Sequence, residues 1–269
     1  MRSILALFLF AGVAACSSDS FTPPPPVVDA AADAPLVDAS DGGGPGFCAS
    51  QAPGYIICDD FDPVGDGATG LNGAWLVTTD NGGTVSRTST RFLSPGFGFE
   101  ATTRPGKSSA TVYRNPNAGL AARLTLTLAI YLSAGCVETG SGAQLPAIVS
   151  ADTTLAKSYF LSLSMSDDKV ALLEGTQGPA DAGFVGAGKV GKAVWPTDKW
   201  VHVFLEAELG AVQVVHVRID SGEVDDFPLT AQLGTVTLPG VSIGASTEPG
   251  RATACTVDYD DVMLRISGK

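Results

Sequence analysis

Only two histidines occur in 269 residues, so a serine–histidine pair or a histidine-held metal has few ways to form. Neither G-x-S-x-G nor H-E-x-x-H is present, and no C-x-x-C, so the nucleophile elbow, the zincin helix, the zinc ribbon and thioredoxin-type redox chemistry all lack their motifs. Basic residues are scarce too: 16 Lys and Arg stand against 28 Asp and Glu, a formal charge of −12. Setting aside Arg2 and the five aspartates of residues 17–46 leaves 15 basic and 23 acidic residues, or −8, in the remainder. That balance argues against nucleic acid as a partner, because nucleic acid selects basic faces. Beyond Val13 no apolar run approaches the roughly 20 residues that a helix needs to span a bilayer. Helical periodicity is missing throughout.

What the chain does have begins with an export signal over residues 1–15. Met1-Arg2 supplies the positive start, Ile4 to Val13 the apolar stretch, and Ala14-Ala15 the small residues before Cys16. The sequence V-A-A-C resembles the bacterial lipobox, which implies that Cys16 becomes lipidated, palmitate-type chains included, and starts the mature chain. Acyl chains at about 0.8 kcal/mol per buried CH₂ hold a protein to a membrane when more than one is attached. The lipid bilayer is then a partner through Cys16. Ser17, in place of Asp after the cysteine, points to the outer membrane or cell surface as the location. Residues 16–46 read as a tether: four successive prolines favour extended polyproline II, and the Ala, Asp and Gly after them bury nothing.

Residues 47–269 suit one β-sandwich domain with a sizeable core. Four cysteines remain there, an even number for an oxidising compartment, and they allow three pairings. We favour Cys48 with Cys58 as a local clasp, and Cys136 with Cys255 as a tie between a mid-chain strand end and the last strand. Alternation of period two dominates the domain. In RLTLTLAIYLS, residues 123–133, Leu124, Leu126, Leu128, Ile130 and Leu132 share one face while Thr125, Thr127 and Tyr131 take the other. SYFLSLSM, residues 158–165, behaves likewise. Joints such as DNGG (80–83), SPGFG (94–98) and EPG (248–250) fall between strands. These features predict an all-β fold of two antiparallel sheets, a sandwich or jelly roll.

The stretch from Trp200 to Asp220 reads as a hairpin. A loop over Leu209-Gly210-Ala211 pairs Glu208 with Val212, Leu205 with Val215, Val203 with Val217 and Val201 with Ile219, so all apolar partners meet on one face. Trp200, His202, Phe204, Glu206, His216 and Arg218 then share the opposite face. Its mixture of aromatic and polar groups makes Trp200, His202, Phe204, His216 and Arg218 the candidate ligand-binding residues.

The strand W-V-H-V-x-L with its hairpin, the turn Ile219-Asp220-Ser221-Gly222 and the closing V-D-Y-D-D-V-M-L resemble the laminin-G-like, concanavalin A-like jelly roll over roughly Gly54 to Ile266. The resemblance implies that fold. It also implies a choice among sugar-binding modules, adhesion domains, glycosidases and polysaccharide lyases. The carboxylate pair that a glucanase of this fold places on one strand as E-x-D-x-(x)-E is broken here. Glu223 and Asp225 match the first two acids, but Phe227 or Pro228 stands where the third is needed. A lyase would assemble His202, His216, Arg218 and Tyr131 or Tyr159, without a lyase-type motif around them. The glycines of GFVGAGKVGKA, residues 183–193, nearly make a P-loop twice. Each time the Ser or Thr needed for magnesium is replaced, by Val190 or Ala193, and Trp195-Pro196 leaves no helix for a phosphate; no nucleotide partner is expected, and the stretch reads as a flexible loop. The remaining chemistry is acidic. YIICDDFDP (55–63) and VDYDDVML (257–264) would become neighbours if the first and last strands pair, and Asp60, Asp62, Asp258 and Asp260 are then candidate calcium ligands. The parity break between Tyr259 and Val262 predicts a bulge at Asp260-Asp261. The overall expectation is a non-catalytic polysaccharide- or glycan-binding lipoprotein of the cell envelope, with a lyase or hydrolase, or a structural adhesion component, as alternatives.

Overall fold

A computed structural model describes residues 47–51, 54–62, 71, 74–94, 96–116, 122–139, 142–152, 157–177, 184–209, 213–229 and 239–267. The expected export signal, Cys16 and the expected tether lie outside the described residues. Within them a helical turn at Phe47–Ser50 precedes β1 (Tyr55–Asp59), β2 (Leu76–Asp80), β3 (Thr84–Thr88), β4 (Gly98–Thr102), β5 (Ser108–Arg114) and β6 (Arg123–Leu132). After a short 3₁₀ turn at Ala134–Cys136 come β7 (Gly142–Asp152), β8 (Lys157–Ser166), β9 (Lys169–Gln177) and β10 (Phe184–Val194). β11 (Trp200–Leu209), β12 (Gln213–Ile219), β13 (Asp225–Pro228), β14 (Pro239–Thr247) and β15 (Thr256–Ser267) complete the order. No described helix is long and apolar enough to cross a membrane.

Two antiparallel sheets result. One runs β13-β12-β11-β6-β15-β4-β3, with β1 paired to β15 off that path; the other runs β10-β9-β8-β7-β14-β5-β2. Alternation, interrupted by a bulge in β15, decides which side these strands bury. Leu124, Leu126, Leu128, Ile130 and Leu132 of β6, Val201, Val203 and Leu205 of β11, and Val257, Tyr259, Val262 and Leu264 of β15 are all buried from one sheet. Leu161, Leu163, Met165, Leu172, Val241 and Ile243 meet them from the other, in one continuous core. Each such side chain stabilises the fold by about 1.5–3 kcal/mol relative to exposure.

First and last strands pair as expected, with Ile57 opposite Leu264 and Asp59 opposite Val262. Phe61 follows β1 into the core at a φ of 56°, and it joins Trp75, Phe99 and Tyr259 in a chain of rings 5.7–6.0 Å apart. Asp59, buried beside them, accepts bonds from the Trp75 indole at 2.8 Å and the Arg114 guanidinium at 2.8 Å. Both favoured disulfides form, Cys48–Cys58 and Cys136–Cys255. The predicted bulge is present: the β15–β6 register shifts between Asp260 and Met263, and Asp261 takes a φ of 52°.

Two expectations need correction. The glycine-rich stretch is not a loop. From Phe184 onward its residues form β10 at the sheet edge, with Ala187 opposite Glu174 and Lys189 opposite Leu172. Glycine permits the left-handed region without forbidding extended backbone. The hairpin register is also displaced by two residues: Val203 pairs with Ile219, Leu205 with Val217 and Leu209 with Gln213. Leu209 thereby stays in the strand and is buried, which the shorter pairing would have denied it.

Candidate functional site

A displacement of two residues leaves every side chain on its predicted face. Trp200, His202, Phe204, His216 and Arg218 therefore still share the outward side of the eight-stranded sheet, opposite the buried valines. Their partners change. Phe204 now faces Arg218, whose guanidinium carbon stands 5.5 Å from the ring centroid. His216 faces Glu206 and bonds Asp226 of β13 through Nδ1 at 2.7 Å. His202 lies by Asp220, whose carboxylate accepts the His202 backbone N–H at 2.7 Å.

The neighbouring strands extend this face in three rows. Across β12, β11, β6 and β15 the first reads Arg218, Phe204, Thr127 and Met263. The second, across β11, β6 and β15, reads His202, Ala129 and Asp260. The third reads Trp200, Tyr131, Asp258 and then Glu100 of β4. Trp200 and Tyr131 meet edge to face at 5.9 Å, and the Arg91 guanidinium lies 4.5 Å from the Tyr131 ring centroid. Phe204 is four residues from Trp200, about 13 Å along the strand. Ala129, the smallest of these side chains, sits fully buried between the aromatic rows. His202 is exposed, while Trp200, Tyr131, Phe204 and Arg218 are half-buried.

The β3–β4 connection bounds the face at its acidic end. Arg91 donates to Asp258 at 2.7 Å. Asp260 Oδ2 accepts the Leu93 and Ser94 N–H groups at 2.8 and 2.9 Å and the Ser94 hydroxyl at 3.2 Å. Asp261 accepts the same hydroxyl at 2.8 Å, and Asp62 accepts the Phe97 N–H at 3.1 Å. Burial dominates their titration. It lifts Asp258 to about 6 against the pull of Arg91, and with the Asp261 charge it lifts Asp260 to about 8. Asp261 rises to about 6, through burial and then the nearby Asp60 and Asp62.

These contacts give the four candidate calcium ligands partners within the fold. Asp60 accepts the Cys48 N–H at 3.1 Å, Asp258 is ion-paired with Arg91, and Asp260 and Asp62 are occupied by loop amides. Among the described residues no group of three or more Asp, Glu, His or Cys side chains is placed to share a metal ion. Carboxylates that cap backbone donors satisfy the amides of a turn, a role their sequence clustering does not distinguish from ligation.

Of the acids weighed for glucanase chemistry, Asp225 is engaged elsewhere. Asp225 is buried and accepts the Lys192 and Ala193 N–H groups at 2.9 Å. Tyr159 packs against the core from the seven-stranded sheet, so Tyr131 is the tyrosine on the candidate face. Arg91 and the outward placement of Asp258 escaped the sequence reading. The parity of Asp258 with buried Val257 and Tyr259 was the available signal for the second, and nothing local marks the first.

No protein-family model and no curated protein matches the chain. Its fold, however, is similar to that of solved structures. An endo-β-1,4-glucuronan lyase from the fungus Trichoderma reesei superposes with a TM-score of 0.60 at 13% identity, covering 73% of this chain and 92% of that one. The cellulose-induced protein Cip1 gives 0.51 at 14% identity over 78% and 97%, and alginate lyase vAL-1 from a Chlorella virus gives 0.50 at 9% over 73% and 94%. With its two antiparallel sheets, the chain has the concanavalin A-like jelly-roll fold.

Proposed function

We propose that this chain is a lipid-anchored envelope protein that binds glycan, a polysaccharide in particular, on the outward face of its eight-stranded sheet. One observation carries the reading: Trp200, Tyr131 and Phe204 stand half-buried on a single sheet face among charged and hydroxyl side chains. Aromatic faces take up the apolar side of a sugar ring while nearby polar groups bond its hydroxyls. Similarity of fold to two lyases whose names specify polysaccharides supports a carbohydrate ligand. Affinity electrophoresis through gels containing a range of polysaccharides tests it. Retardation by at least one, weakened in Trp200→Ala, is the expected result; no retardation by any contradicts the reading.

The membrane attachment is proposed from V-A-A-C alone. Metabolic labelling with a radioactive fatty acid is expected to mark the protein and to fail with Cys16→Ala. An unlabelled wild-type protein would refute the anchor.

A second reading, a polysaccharide lyase, is favoured by Tyr131, His202 and Arg218 sharing that face and by the same two neighbours of fold. Lyase cleavage leaves an unsaturated sugar that absorbs ultraviolet light. Its steady appearance in a polysaccharide digest would replace binding by catalysis as the function.

A further inference from the structure

Among the described residues, Arg218 is a cation of this face with no acidic partner. Arg91 is held by Asp258 at 2.7 Å and Arg123 by Glu208 at 2.5 Å, while His216 holds Asp226. Arg265, at the β15 end, is exposed to solvent. Arg218 is half-buried over the Phe204 ring, and its Nε atom is buried without a hydrogen-bond partner. The nearest acids of the face are committed elsewhere. Glu206 accepts the Thr125 hydroxyl at 3.3 Å and lies 3.9 Å from Arg123, and Asp226 is bound to His216. Directly across Phe204, the Thr127 hydroxyl oxygen is also buried and unpartnered. Buried polar atoms in folded proteins nearly always have partners. Here two of them flank one aromatic ring, in the first row of the ligand face.

We propose that this subsite, Arg218 and Thr127 on either side of Phe204, selects a glycan bearing an anionic group, either a carboxylate or a sulfate ester. The inference rests on the reading of the face as a glycan site and adds the ligand's charge to it. A guanidinium fork matches a planar carboxylate or a sulfate with two parallel hydrogen bonds, and charge-assisted bonds of this kind are about twice as strong as neutral ones. The effective dielectric beside a half-buried ring is lower than in water, which strengthens the pair further. The chain as a whole works against such a ligand, since its net charge is −12. Preference for a polyanion therefore has to come from short-range contact at Arg218, not from the long-range field.

Two pairs of polymers, each sharing a backbone and differing in charge, separate these effects. They are polygalacturonate with its methyl ester, and dextran sulfate with dextran. Dissociation constants are measured with the full domain in about 0.15 M salt, where the screening length is about 8 Å and only near contacts count. The expected result is at least about tenfold tighter binding of the charged member of one pair. The pair that shows it distinguishes carboxylate from sulfate. Arg218→Ala is expected to abolish that preference, so that the charged and uncharged members of the pair bind with equal affinity. Should the alanine variant misfold, Arg218→Gln, which keeps the stem over Phe204, carries the comparison. Equal affinity within both pairs, or a preference that survives loss of Arg218, overturns the inference while leaving glycan binding intact. Failure to bind any of the four also overturns it, and the wider polysaccharide panel then decides separately whether the glycan reading stands.

Discussion

Asp260 sits fully buried with four donors around one carboxyl group: the Leu93, Ser94 and Asp261 amides and the Ser94 hydroxyl. Its pKa of about 8, with Asp258 and Asp261 near 6, means that the folded protein holds protons which the unfolded chain releases near pH 4. Linkage fixes the sign. Where the native state binds more protons, stability falls as pH rises, so it is highest below about pH 4 for these three groups and declines between about pH 4 and 8. Asp260→Asn keeps an acceptor for the loop amides but removes one titrating group. At pH 5 it is expected to cost about 1 kcal/mol through the lost second acceptor, and at pH 8 that deficit should close or reverse. Thermal unfolding midpoints across the range check this, and an unchanged pH slope would contradict it. These burials were only half legible in the sequence. VDYDDVML shows crowded acids and a parity break, yet Arg91 and Ser94, which decide what those acids do, lie more than 160 positions away.

At the scale of elements, β10 shows how glycine can mislead. Gly191 is not there for a loop. A Cβ at that position would lie 2.3 Å from Asp225 Oδ2, because the Asp225 carboxylate closes on the Lys192 and Ala193 amides where the strand loses register. Gly191→Ala is therefore expected to destabilise the domain by about 1–3 kcal/mol, read as a shift in the denaturant midpoint at unchanged slope. Gly188, which meets nothing within 4 Å, is the control: Gly188→Ala should be near neutral. Equal effects at both positions would show that the close approach is unimportant. Strands with clean alternation were readable because burial on one side imposes period two, as β6 and β12 illustrate. The β11–β12 register was not, because a slip of two residues conserves the face of every side chain. Only the burial of Leu209 separates the two pairings, and that is a property of the folded core.

For the molecule as a whole, the sandwich places its chemistry on one side of one sheet. The seven-stranded sheet and the inward rows supply the core, and the outward rows of β11, β12 and β6 carry the three aromatic rings with Arg218 and His202. Fold class and the membership of this face were available from sequence, since both follow from alternation and from the hairpin. Which groups on the face are satisfied and which are left over depends on ion pairs between distant strands, and only the fold reveals it. The direct test of the account is the affinity of the domain for polysaccharides, compared between wild type and Trp200→Ala with thermal stability measured alongside. The account predicts retardation by at least one polysaccharide and a loss of about tenfold or more in Trp200→Ala, with the unfolding midpoint little changed. Binding that is indifferent to the removal of Trp200, or no binding to any polysaccharide, would contradict it.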